Sequence, residues 1–243
     1  MTALSMRDIT MTFPDGTRAI DGVDLSIERG EFVTVVGPSG CGKSTLLRII
    51  SGLQQPTSGS CNVDSKHLGY VFQDSVLLPW RNVRKNVELN AELQGVPKER
   101  RQESAQNAID LVKLNDHVTK FPHQLSGGMK MRCSLARSLV SQPQVFLFDE
   151  PFGALDEMTR EHLNDELLNI FLQEKFAGLF ITHSIQEAVF LSTRVIVMSS
   201  QPGRFTSEHK IDFPFPRVPD IRYSAEFAQL CGRISHDLKL AHT

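Results

Sequence analysis

Several groups of side chains in this sequence have the types and spacing to act on a phosphorylated ligand. The first is Gly37-Pro38-Ser39-Gly40-Cys41-Gly42-Lys43-Ser44-Thr45. An apolar run, 32–36, precedes it, and a leucine-bearing segment, 46–50, follows. The pattern G-x-x-x-x-G-K-[ST] between a strand and a helix is a P-loop. Its glycines let backbone amides close on phosphate oxygens. The helix beginning near Lys43 adds unpaired N–H groups and a positive dipole end. Lys43 can reach the β- and γ-phosphates of a nucleotide, and the Ser44 hydroxyl can ligate Mg²⁺. Cys41 sits inside the loop as a small filler, where alkylation would obstruct nucleotide.

The second group is Asp149-Glu150, which ends the apolar run Val145-Phe146-Leu147-Phe148. Continuous apolarity suits a parallel strand buried on both faces. Its carboxyl end is where α/β sheets bind ligands. Asp149 can hold Mg²⁺ through water, and Glu150, pointing elsewhere, can orient the attacking water. His183 closes another apolar run, 177–182, where its imidazole can contact a γ-phosphate. Ser126-Gly127-Gly128 precedes a helix over 130–139: either an ordinary capped helix or a second anion-binding end. Gln73 ends a short strand, as a surface amide or as a group touching a metal or water. Phe13 ends the first strand, as a core residue or as a stacking surface for adenine.

The elements that must carry these groups follow from periodicity and turn chemistry. Residues 4–13 alternate as a strand, and Pro14-Asp15-Gly16 turns the chain into a second strand over 17–27, broken near Gly22. An antiparallel layer in front of the P-loop is expected. Short strands are expected at 60–63 and 68–72. Helical spacing takes over at 83–93 and 99–114, and again at 157–175 and 184–191. A strand is expected at 195–198, a last one at 210–213, a linker at 214–219 and a terminal helix at 224–240. Leu78-Pro79-Trp80, with the only tryptophan, is followed by Arg81, Arg84 and Lys85, which makes it a core piece or a docking surface.

The 243 residues are 40% hydrophobic with a net charge of -2, which describes a globular α/β chain and gives no basic surplus for duplex nucleic acid. The four cysteines are spread without a C-x-x-C pair and read as reduced thiols. The start of the chain lacks a signal-peptide pattern, and no apolar run has the length of a membrane span. Membrane association must then come through a partner.

Taken in order, these motifs resemble the ATP-binding subunit of an ABC transporter, over about residues 4–204. The 37–45 loop is similar to Walker A, and Leu125-Ser126-Gly127-Gly128-Met129 to the family's signature motif. Phe146 to Glu150 resembles Walker B, Ala154-Leu155-Asp156 the D-loop, and His183 the switch histidine. Gln73 resembles the Q-loop glutamine and Phe13 the adenine-stacking aromatic. Val71-Phe72-Gln73-Asp74, Leu77-Leu78-Pro79-Trp80, the run from Asp149 to Asp156, and Gln201-Pro202-Gly203-Arg204 look like the importers of nitrate, sulfonate and taurine. Met129, Met131 and Cys133 depart from the general signature, and the 60–70 span is short, implying a trimmed β-hairpin.

The resemblance implies a P-loop α/β fold with an N-terminal antiparallel β layer and an inserted helical part. It implies one domain over 1–243: an ATPase core with its β layer at 1–73 and 140–213, a helical signature part at 74–139, and a tail at 214–243. Two copies would pack head to tail, each ATP lying between one copy's Walker A and the other's Ser126, Gly127 and Gly128. Lys43, Glu150 and His183 would be catalytic. Ser44, Gln73 and Asp149 would serve Mg²⁺, and Asp156 would cross the dimer. Residues 77–86 would meet an integral-membrane permease, and a secreted binding protein would deliver the cargo. The chain would lie on the cytoplasmic face of the inner membrane and hydrolyse ATP. The rival is a soluble ABC-type ATPase on a protein scaffold, as in iron–sulfur cluster assembly.

Overall fold

The computed structural model describes residues 1–63 and 68–241. The chain opens with three strands, β1 (Thr2–Thr12), β2 (Arg18–Glu28) and β3 (Phe32–Val36), and then α1 (Lys43–Ile50). Next come β4 (Ser58–Val63) and β5 (Leu68–Val71). A helical stretch follows: α2 (Val83–Val87), α3 (Leu89–Leu93), α4 (Lys98–Leu111) and α5 (Gly127–Leu139). The chain then alternates through β6 (Val145–Asp149), α6 (Glu157–Glu174), β7 (Ala177–Thr182), α7 (Ile185–Leu191) and β8 (Arg194–Met198). It ends with β9 (Phe205–Lys210) and α8 (Ala225–Leu240).

Two sheets organise these elements. One is antiparallel, in the order β2-β1-β4. The other has six strands in the order β5-β6-β7-β3-β8-β9, parallel except for the antiparallel edge strand β9. The P-loop strand β3 therefore lies inside the sheet, between β7 and β8. Its residues, and those of β6 and β7, alternate between two apolar layers. Val33, Val35, Val145, Leu147, Leu179 and Ile181 join the layer shared with α1 and the antiparallel sheet. Phe32, Val36, Phe146, Phe148 and Phe180 join the layer shared with the helices. Each fully buried phenylalanine contributes roughly 1.5–3 kcal/mol of transfer free energy. That double burial holds the carboxyl edge of the sheet in place.

The fold is the expected P-loop α/β arrangement, and several local expectations need correction. Strand β2 is continuous: Gly22 bends it at a φ of 64° without ending it. The trimmed hairpin falls partly on residues 64–67, outside the described residues. Its flanking strands do not pair together, since β4 adds to β1 and β5 adds to β6. The helix expected over 83–93 is two short helices joined at Glu88, a buried residue held by Lys85 and Arg101. Helix α5 starts at Gly127, so the paired glycines form its first turn. The last strand is 205–210, not 210–213. Its Phe-Thr-Ser-Glu-His-Lys sequence is half-polar because it lies at an edge. No helix among the described residues is long and apolar enough to cross a membrane.

Candidate active site

The 37–45 loop leaves β3 at the carboxyl edge and wraps the start of α1. Gly42 is the residue before the first helical turn and has a φ of 103°. A side chain there would be strained, and its Cβ would lie 2.8 Å from the Ala19 carbonyl oxygen. Lys43 is only 5% exposed. Its Nζ donates to the carbonyls of Gly37 (2.9 Å) and Pro38 (2.8 Å), the loop's own backbone. An incoming phosphate offers stronger, charged acceptors in exchange. Cys41 is buried beside this amine, and burial pushes its thiol above the usual range.

Residues 201–203, part of the stretch that resembles the importer subfamily, brace the back of the loop. Gln201 Nε2 donates to the Gly40 carbonyl at 3.2 Å. A Cβ on Gly203 would collide with the Cys41 carbonyl oxygen, so only glycine allows this approach. The Gly203 amide donates to Ala19 and its carbonyl accepts from Asp21, tying the P-loop to β2.

Strand β6 delivers Asp149 to the same edge. The Ser44 hydroxyl donates to Asp149 Oδ1 at 2.9 Å, and Tyr70 OH lies 3.4 Å from Oδ2. Burial pushes the Asp149 carboxyl up, partly offset by the Ser44 hydrogen bond. Tyr70 was not singled out in the sequence, where an aromatic in a short strand reads as packing. The next residue, Glu150, has a φ of 45°, in the left-handed region that non-glycine residues rarely enter. That turn separates its carboxylate from Asp149. Its Oε2 lies 3.3 Å from His183 Nδ1, at the end of β7. His183 is exposed and Glu150 half-buried, so both can meet a ligand and water.

Gly153 lies between His183 and Gln73. A Cβ placed on it would fall 3.7 Å from His183 Cε1 and 3.9 Å from Gln73 Nε2. Gln73 is exposed just beyond β5. Phe13 is half-buried at the β1–β2 turn and packs on the antiparallel layer. Asp156 caps α6 by accepting from the Thr159 amide at 3.0 Å, and that bond holds its exposed carboxyl below the usual range.

The signature residues stand apart from these. Ser126 caps α5, its Oγ accepting from the Met129 amide at 3.3 Å. Ser126 and Gly127 are exposed. Among the described residues no hydrogen bond or ion pair joins Ser126, Gly127 or Gly128 to the 37–45 loop. The glycines instead approach the D-loop side: a Cβ would lie 3.1 Å from Leu155 on Gly127 and 2.9 Å from Thr159 on Gly128. Met131 and Cys133 are core residues, and burial pushes the Cys133 thiol up to about 12.

The segment after Gln73 presents Val76 (61% exposed) and Trp80 (71%) to solvent. Two buried polar side chains hold it there. Asn86 accepts from the Leu78 amide at 2.8 Å and donates to the Arg81 carbonyl at 2.7 Å. Arg137, from α5, donates to the carbonyls of Val76 (2.8 Å) and Ser75 (3.1 Å). Neither was singled out in the sequence, since a lone Asn or Arg on a helix gives no sign of its distant partner.

A glycine loop feeding a helix, with a serine and an aspartate converging at the carboxyl edge of a parallel sheet, defines a nucleoside-triphosphate site. The family model for the ABC transporter matches residues 20–153. The sequence is 46% identical to the nitrate import ATP-binding protein NrtD of Synechocystis, covering 91% of this chain and 88% of the relative. It is 38% identical to the aliphatic sulfonates import ATP-binding protein SsuB of Bacillus cereus, covering 88% of each. The structure is similar to an ATP-binding cassette solved as a dimer in a post-hydrolysis state with ADP and Pi. There the TM-score is 0.75 at 30% identity, covering 87% of this chain and all of that one. Similar too is cbiO1 of Clostridium perfringens, part of the cbiONQ transporter complex, at a TM-score of 0.80 and 25% identity over 98% of both chains. The chain belongs to the ABC transporter ATP-binding family and is an ATP-binding, ATP-hydrolysing enzyme.

Proposed function

We propose that this chain energises an importer for a small anion of the nitrate, sulfonate or taurine kind. In this reading two copies close head to tail around ATP, each completing the other's site. The observation that carries the closure is the separation of two anion-binding helix starts on one chain, α1 with its buried lysine and α5 with its exposed serine. Support for the cargo class comes from the relatives named for nitrate and sulfonate import. Nothing in the site favours the soluble scaffold ATPase over this reading.

Mg²⁺ fits the residues present. The donor set of Ser44, Asp149 and Gln73 is all oxygen, with one carboxylate, which suits a hard ion that also takes phosphate oxygens. Ser44 Oγ and Asp149 Oδ1, at 2.9 Å, are close enough to share one coordination shell. When bound, the ion supplies charge neutralisation at the β- and γ-phosphates. Lys43 exchanges its backbone carbonyls for phosphate oxygens. Phe13 stacks on the adenine, and the amides of residues 37–45 hold the phosphates. Glu150 orients or deprotonates water, and His183 holds Glu150 and the γ-phosphate in line. Ser126, Gly127 and Gly128 close the site from the second copy, with Asp156 crossing between copies.

The helical part at 74–139 is read as the unit that couples this site to the membrane. Gln73 links the metal end to it, and the exposed Val76–Trp80 surface meets the permease on the cytoplasmic face of the inner membrane. Reconstitution in lipid with the permease and its secreted binding protein tests this. Cargo-stimulated phosphate release is the expected result. Hydrolysis indifferent to those partners, or no co-purification with any membrane-spanning protein, would contradict it.

A further inference from the structure

Glu187 is an ionisable side chain that the site above does not use. It is 6% exposed, on the first turn of α7, four residues past His183. A buried carboxylate is expensive, and an apolar residue of similar size would usually stabilise the fold at least as well. Its two oxygens go in different directions. Thr182, immediately before His183, donates its hydroxyl to Glu187 Oε2. The same hydroxyl accepts from the Ser184 amide at 3.0 Å, immediately after His183. The turn that carries His183 is thus closed around Thr182 and fastened to Glu187. Glu187 Oε1 is buried, with Asn164 beside the carboxyl, and lies 3.8 Å from Arg160 Nε on α6. Arg160 donates from Nε to the Phe152 carbonyl at 3.3 Å and from its terminal nitrogen to the Leu155 carbonyl at 2.8 Å. Those carbonyls belong to the loop that runs from Glu150 to Asp156. Gly153, in the same loop, lies beside His183, where a Cβ would fall 3.7 Å from Cε1.

We propose that Glu187 is a positioning residue for ATP hydrolysis, holding the His183 turn through Thr182 and the 151–156 loop through Arg160 in one register. This rests on the reading of Glu150 and His183 as the catalytic pair. Their side chains, 3.3 Å apart, sit on two loops that also meet at Gly153 and through the Glu150 amide, which donates to the Ile181 carbonyl at 3.0 Å. Misplacement on the order of an ångström at such a pair is enough to slow the chemical step about a hundredfold.

The test is steady-state hydrolysis by the full chain with four changes. Glu187→Gln keeps the shape and an acceptor for Thr182 but removes the charge facing Arg160. Its kcat should fall about tenfold with the KM for ATP within about twofold, the split expected when only the transition state is affected. Arg160→Met, at a side chain that is partly exposed, should do the same, and the double variant should be no slower than the slower single. Thr182→Val should lose kcat, and Thr182→Ser, which keeps the hydroxyl, should retain it. Unchanged kcat in folded Glu187→Gln, a loss confined to KM, or losses that multiply in the double variant would overturn the proposal. Glu150→Gln run alongside separates the two levels. If it too hydrolyses normally, the catalytic pair is wrong. If it alone is dead, only the role of Glu187 fails.

Discussion

Helices α1 and α5 both begin beside glycines, and the chain finishes them in opposite ways. The start of α1 is enclosed: Lys43 is buried and hydrogen-bonded, Gly203 presses on the loop, and Asp149 reaches Ser44. The start of α5 is open, with Ser126 and Gly127 exposed and its serine hydrogen-bonded to its own helix. One helix end has a buried lysine, a metal-type donor set and a carboxylate beside it, while the other offers its amides, its dipole and the Ser126 hydroxyl. The lesson is that an anion site can be divided. In the proposed closure, the half that binds is built inside one chain and the half that closes is left at a surface, so closure would depend on nucleotide.

The sharpest way to freeze that division is Glu150→Gln. The variant should bind ATP as before and lose at least about a hundredfold in turnover, because in the proposed mechanism only the group acting on water is changed. ATP-bound dimers should then accumulate in light scattering, whereas normal turnover would remove Glu150 from its role. A second change attacks the link between α5 and the Val76–Trp80 surface. Arg137→Met leaves the Ser75 and Val76 carbonyls without their buried donor and should cost about 2–4 kcal/mol in denaturant unfolding. A loss under about 0.5 kcal/mol would mean that the link is dispensable.

Trp80→Ala removes an exposed ring and should leave ATP binding and stability unchanged while weakening assembly with the membrane subunit. Unchanged co-purification would move the docking surface elsewhere. The smallest effect is expected far from both helix starts, where Asp237 of α8 meets His209 of β9 at 2.9 Å. The Ser207 hydroxyl and then His209 hold the Asp237 carboxyl below the usual range. A depressed pKa contributes stability above the ordinary carboxylate range and loses it as pH falls through the folded value. Asp237→Asn should therefore lower the melting temperature slightly at neutral pH and by less at about pH 3, with turnover unchanged. A difference that is the same at both pH values would mean that the carboxylate charge contributes nothing.

How much of this was legible in the sequence divides along similar lines. The P-loop, the two apolar strands and their terminal acids and histidine were readable, because each is a contiguous pattern with a local physical cause. Gly203, Asn86, Arg137, Arg160 and Glu187 were not, because each acts on a partner that only the fold brings near. Arg137 serves carbonyls 61 and 62 residues away. Strand β9 was misplaced because its inward positions are Phe205, Ser207 and His209, too polar for a core pattern, while Ile211 and Phe213 just beyond it are apolar. The α5 start was misplaced by three residues because glycine is a poor helix interior residue. Here the pair occupies the first turn, where a Cβ on Gly128 would crowd Thr159 at 2.9 Å.

Mixing two disabled chains tests the divided site most directly. Lys43→Ala should destroy the binding half and keep the closing half. Ser126→Arg should do the reverse, at a cost of about 1 kcal/mol for the lost cap. Each alone should release no phosphate above background. An equimolar mixture should recover up to about a quarter of the wild-type rate, since half the dimers are mixed and each of those carries one intact site. Silence in the mixture, or wild-type turnover by Ser126→Arg alone, would contradict the claim that the site is shared between two copies.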